Sequence, residues 1–266
     1  MNAWVAEETQ SLITDVVSQG AIHPDTILVL ATAIYFKGKL VIPFDDKYTE
    51  EKKFHLLDGS SHVTVPFMRG FWMQNISCHD GFKMLPLRYT DNDYYQNYDV
   101  PQFSMCIFLP TQRDGLPELV NKIASDVEGF LLRHLKPSSQ NKYVPVGQFF
   151  VPKFKLSSAG SVAGVLKEVG LQLPFDMVEE VDDGVEEEKK MLVEGVIHKA
   201  VVEVSDVAAV TMTNNERMIS APRDKRVPPP RNPMDFVADH PFAFFVVEER
   251  SCAVVLAGQV LDPSKE

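Results

Sequence analysis

The chain has little that would fasten or anchor it. Three cysteines, Cys78, Cys106 and Cys252, stand far apart in 266 residues. Their number is odd, so at least one lacks an intrachain partner. With no Cys-x-x-Cys or Cys/His cluster near them, they read as reduced thiols rather than a disulfide frame or a metal site. No apolar run reaches the ~18 residues that a membrane-spanning helix needs. The opening Met1-Asn2-Ala3-Trp4-Val5-Ala6-Glu7-Glu8 is acidic and lacks an apolar h-region, so it is not expected to be a signal peptide. Reduced thiols and no leader together point to the cytoplasm. Cations are also scarce: 26 Lys and Arg stand against 37 Asp and Glu, for a net charge of −11. That balance argues against nucleic acid, whose phosphates call for a basic face, and against anionic membrane surfaces.

The short signatures of catalysis are missing as well. There is no nucleophile elbow, P-loop, dinucleotide fingerprint or zinc motif among the seven histidines and many carboxylates. The expectation is a protein that is not an enzyme and holds no cofactor or metal. The charged segment from Glu179 to Lys190 lacks the alternating Asp-x-Asp-x-Asp-Gly order of a calcium loop and reads as a solvated loop.

What is present suits one large globular domain or two smaller ones: 45% of residues are hydrophobic and 24% charged. Trp4, Val5, Leu12, Ile13, Val16 and Val17 recur at helical spacing, with Gly20 and Pro24 as the stop. Ile27 to Phe36 is nearly all apolar and reads as a strand buried on both faces, after which Lys37-Gly38 turns the chain. Val63 to Met68, Phe82 to Tyr89, Ser104 to Leu109 and Phe149 to Leu156 read as strands separated by turn residues. Leu116 to Leu131 reads as one helix weakened near its end by Gly129. Val162, Val165, Leu166 and Val169 mark a shorter helix stopped by Gly170. Strands and helices mix without regular alternation and without an internal repeat, which favours α+β over a doubly wound sheet.

The most informative stretch is Met191 to Val260. A β-rich run to Val204 gives way to about thirty residues unsuited to a core, among them Asn214-Asn215-Glu216-Arg217 and Pro222-Arg223-Asp224-Lys225-Arg226-Val227-Pro228-Pro229-Pro230. Strand-like sequence resumes at Phe236. Basic residues at the tip of an exposed loop are ready protease targets, so this loop reads as bait.

These residues carry a family resemblance. Leu28 to Gly38, Phe54 to Gly59 with Val65 to Met68, Val151 to Lys155, Leu166 to Phe175 and His198-Lys199-Ala200 recur in order as they do in serpins. Phe236 to Val246 resembles the family's C-terminal signature, with Ala243 in place of a larger residue. Pro228 to Pro230 followed by Asp235 to Phe242 resembles the plant branch. The resemblance implies an α+β serpin fold, a large mixed β-sheet with smaller sheets and packed helices. It implies one partial domain over 1–266, lacking the N-terminal helical third, with a reactive-centre-like loop at about 205–234.

In serpins, the resemblance implies, the loop is cut by a serine protease and inserts as a new strand into the main sheet, carrying the acyl-linked enzyme with it. The scissile bond then falls at Lys225 or Arg226, with Arg223 the third candidate, which suits a trypsin-like partner. The hinge corresponds to Asp206, Val207, Ala208, Ala209, Val210 and Thr211, and holds no glycine to supply permissive backbone. If inserted without a gap, the loop would bury Asn215 and Arg217, and a buried unpaired Arg costs several kcal/mol. The sheet-opening positions are altered too. His198 matches a family histidine, whose usual Asn partner falls at Thr32, and Leu40 replaces a customary Trp. Inhibition is therefore expected to be reduced or lost. The alternatives are a non-inhibitory interaction protein using the Pro-rich loop as a ligand, or a simple protease substrate. The family also supplies the extracellular space as a second compartment. A strand 27–36 without neighbours on one side would present a sticky edge, so self-association is expected.

Overall fold

The computed structural model describes residues 2–9, 11, 13–17, 28–70, 73–90, 100–135, 143–171, 193–204 and 233–265. The charged segment 179–190 and loop residues 205–232 lie outside them. In chain order the elements begin with helix α1 (Asn2–Glu8) and strands β1 (Leu28–Phe36), β2 (Lys39–Leu40), β3 (Glu50–His55) and β4 (His62–Arg69). Strands β5 (Met73–Gln74), β6 (Ser77–His79), β7 (Phe82–Thr90) and β8 (Phe103–Pro110) follow, then helices α2 (Leu116–Ser125) and α3 (Val127–His134). The rest comprises β9 (Val144–Pro152), β10 (Phe154–Ser161), α4 (Ala163–Glu168), β11 (Val193–Val204), β12 (Met234–Val237), β13 (Phe242–Glu248) and β14 (Val254–Val260).

The chain divides into two compact units: residues 1–37 with 156–203, and residues 38–155 with 204–266. The first holds a three-stranded sheet of order β1-β11-β10. Val5, Ile13, Val16, Val17 and Val201 form its buried cluster, against which Ala31, Ala33, Tyr35 and Ile197 pack. These apolar positions match the spacing of the expected first helix, yet the helix stops at Glu8. Thr9 Oγ1 takes the Ile13 N–H at 3.0 Å, Ser11 adopts φ 63°, and Asn2 Oδ1 accepts from Val16 N at 3.2 Å and Val17 N at 3.0 Å. Side chains that compete for backbone groups thus fold residues 13–17 back along α1. Trp4, expected on the apolar face, is 62% exposed.

Strand β1 is not buried on both faces as expected. Leu30 is 47% exposed and Thr32 is also exposed, while Ala31, Ala33 and Tyr35 face the cluster. In this structure the doubly buried pattern belongs to β8, where every residue from Ser104 to Pro110 is buried.

The second unit holds a six-stranded sheet, β14-β13-β8-β7-β2 with β6 paired to β7. It also holds a five-stranded sheet, β12-β9-β4-β3 with β5 paired to β9. The helical pair α2 and α3 covers the first sheet: Leu116, Leu119, Phe130 and Leu135 pack with Phe82, Cys106, Phe108, Ala243 and Val247. The sequence suggests one helix over 116–131, but the structure has two. Asp126 leaves helical geometry at φ −157°, ψ 69°, and its carboxylate caps the Gly129 N–H at 3.0 Å. Gly129 therefore begins a helix rather than weakening the end of one. The expected strand through Lys153 also divides, into β9 and β10. Helix α4 stops as expected, with Gly170 at φ 95°.

Candidate functional site

Strands β1 and β11 are parallel and directly paired, with Thr32 opposite His198 and Phe36 opposite Val202. Two parallel strands end on the same side of a sheet, so β11 ends at Val204 beside the end of β1 at Phe36. Parallel pairing aligns side chains across the ladder, and Thr32 Oγ1 lies 2.8 Å from His198 Nδ1. Thr supplies one hydroxyl here, so a single contact joins the two side chains.

A second cross-link sits at the end of the ladder. Lys37 Nζ lies 2.8 Å from Glu203 Oε1, and the Tyr35 hydroxyl donates to Glu203 Oε2 at 3.4 Å. The hydrogen bond to Glu203 raises Lys37 above its ordinary value, against a smaller opposing effect of burial. Below these, Lys199 Nζ donates to the Asp15 carbonyl at 2.7 Å. Sequence reasoning missed the Glu203 clamp, since nothing local links Glu203 to residues at the end of β1.

Strand β12, which follows residues 205–232 in the chain, belongs to the second unit. Asp235 on β12 accepts the Gln148 N–H on Oδ1 at 2.7 Å, and its carbonyl accepts Lys83 Nζ at 2.6 Å. A Cβ at Gly147 would lie 2.4 Å from Asp235 Oδ1, so glycine is what lets this carboxylate approach the strand. Further on, the His240 ring lies 2.8 Å from Asp239 Oδ1 and 2.9 Å from the Pro110 carbonyl, and Arg113 reaches Asp239 at 3.3 Å.

Leu40 belongs to the second unit, where β2 pairs with β7, and it is buried opposite Tyr89. It lines a hollow with Phe44, Gln74, Leu87 and Phe149. Of the sheet-opening candidates, then, Thr32 and His198 meet, and Leu40 is in a different unit. The hinge residues Asp206, Val207, Ala208, Ala209, Val210 and Thr211 and the bond candidates Arg223, Lys225 and Arg226 lie outside the described residues. Among the described residues no group of three His, Cys, Asp or Glu side chains is arranged to hold a metal ion.

The family model for serpins, serine protease inhibitors, matches residues 1–263. The chain belongs to the serpin family. Serpin-Z2A of Oryza sativa subsp. japonica is 41% identical over 294 residues, spanning 99% of this chain and 66% of its own. Serpin-ZX of Hordeum vulgare is 40% identical over 99% of this chain and 63% of its own. Among solved structures, Arabidopsis AtSerpin1 in its native stressed conformation matches with a TM-score of 0.77 at 38% identity, over 99% of this chain and 64% of that one. The serpin fold and the likeness to plant serpins follow. The chain spans 65%, 64% and 61% of the length of three rice relatives it matches. No described helix is long and apolar enough to cross a membrane.

Proposed function

We propose that this serpin-family chain engages trypsin-like serine proteases through residues 205–234, is cut at Lys225 or Arg226 with Arg223 the lesser site, and leaves as cleaved substrate more often than as a trapped complex. The observation that carries this reading is the direct β1–β11 ladder with its two side-chain cross-links. A strand entering between β1 and β11 must part them by one strand spacing, about 4.8 Å. That breaks the Thr32–His198 contact and pulls Glu203 away from Lys37 and Tyr35. The entering segment would bring Asn215 and Arg217 towards a buried face, with no glycine at the hinge. Slow opening and a poorly fitting insert both favour hydrolysis of the acyl link before the protease is carried along.

On this reading the chain is a ligand of enzymes and not itself a catalyst. Its three free cysteines suit a reducing compartment such as the cytosol. Among the described residues β1 stands at the end of its sheet, and with Leu30 47% exposed this favours self-association of the isolated chain. A monodisperse, cooperatively melting monomer in light scattering would speak against that part. A second reading, a non-inhibitory interaction protein, draws on Pro228-Pro229-Pro230, a run suited to extended-peptide recognition. Limited trypsin digestion with mass spectrometry of the fragments tests the substrate loop. The first cut is expected after Lys225 or Arg226, and a first cut outside 205–234 overturns the assignment.

A further inference from the structure

Two histidines of the second unit meet over an aromatic floor. His79 on β6 and His134 at the end of α3 stand edge to face with ring centroids 4.4 Å apart. His134 also packs on Phe130 at 4.5 Å, Phe82 at 5.3 Å and Phe108 at 6.4 Å. Those three phenylalanines lie in the core that joins α2 and α3 to the six-stranded sheet. His79 stacks on Phe82 at 4.9 Å, and its Nε2 meets the Ser77 hydroxyl at 2.9 Å. The buried Nδ1 of His134 has no hydrogen-bond partner among the described residues. A lone acceptor nitrogen in apolar surroundings is tolerable on a neutral ring, whereas an imidazolium there would be both desolvated and unpaired.

The surrounding charges point the same way. Lys122 on α2 lies 5.7 Å from the Phe82 ring centre and is paired with exposed Asp80. Arg133 on α3 is paired with Asp126 at 3.0 Å. The charges acting on His134 are His79, Arg133 and Lys122, all cationic when charged.

We propose that the His79–His134 contact is an acid-operated latch: protonation of the pair drives the two rings apart and releases α3 from β6, β7 and β8. Burial, then His79, Arg133 and Lys122, push His134 down to about 4, and burial with Lys122 lowers His79 as well. Because the folded state resists protonation, the unfolded state binds more protons in the window below the ordinary histidine value of 6.5. The latch thus contributes fully above that value and is lost as pH falls towards 4. It does not depend on the protease reading.

The test uses the whole chain. Histidine ring NMR follows the titration of His134, and amide exchange follows α3 against β13 from pH 7 to 4.5. The latch predicts that His134 titrates well below 6.5 and that α3 amides lose protection before those of β13. It also predicts that Tm falls by several degrees over this range in the natural chain and stays flatter in His134→Phe. Titration of His134 at or above 6.5, or loss of α3 and β13 protection together, overturns it. So does an equal fall of Tm in His134→Phe. If that variant does not fold, the titration and exchange of the natural chain decide alone.

Discussion

Thr32 and His198 face each other in the parallel ladder of β1 and β11 and share one side-chain contact, Oγ1 to Nδ1, of 2.8 Å. Because Thr32 is exposed, water competes for the same groups, and the contact sits at the weak end of its class. Thr32→Val removes the hydroxyl and keeps the branched shape. It is expected to lower unfolding free energy by about 0.5–1 kcal/mol in urea titration, with Thr32→Ser restoring most of the loss. Equal stability of the Val variant and the natural chain would show that the contact holds nothing.

The chain passes Tyr89 without room for a side chain at residue 38. A Cβ on Gly38 would come within 2.4 Å of Tyr89 Cδ1, and Tyr89 is buried. Gly38→Ala must displace that ring, at a cost of about 1–3 kcal/mol typical of overpacking. The midpoint of urea unfolding measures it, and an unchanged midpoint contradicts the close approach.

Glu248 closes the turn between β13 and β14. Ser251 donates to Oε2 from its hydroxyl at 2.6 Å and from its N–H at 2.7 Å, and the Arg250 N–H reaches Oε1 at 3.1 Å. The Ser251 hydroxyl first, then these backbone groups, hold Glu248 down to about 2. A depressed carboxylate stabilises the fold above its ordinary value of 4.5, and that contribution is lost as pH falls from 4.5 to about 2. Ser251→Ala is expected to return Glu248 part of the way to 4.5 in NMR titration. Titration near 4.5 in the natural chain would contradict the assignment.

The cysteines are expected to react in order of access. Cys78 is exposed, Cys252 half-buried and Cys106 buried, and burial pushes the Cys106 thiol up to about 12. A disulfide-exchange reagent at pH 8 should modify Cys78 first and Cys106 only after denaturant is added. Rapid modification of Cys106 in the folded chain would contradict its place in the core.

Much of this architecture was legible where the signal was local. Val162, Val165, Leu166 and Val169 with Gly170 announced α4 and its stop. Periodicity misled where a polar side chain intervened. Asp126 divided the expected helix over 116–131, and Thr9 with Asn2 turned an amphipathic pattern into a short helix and a return. The meeting of Thr32 with His198 was foreseen only through family resemblance. The Glu203 clamp on Lys37 and Tyr35 and the His79–His134 contact had no local signature, because each joins elements far apart in the chain.

The measurement that bears most directly on the proposed function is a denaturing gel of the chain mixed with trypsin. The expected result is cleaved chain with free, active trypsin and little adduct, since the proposal has the acyl link hydrolysed before β1 and β11 part. An adduct that survives boiling and accounts for most of the trypsin would contradict the account.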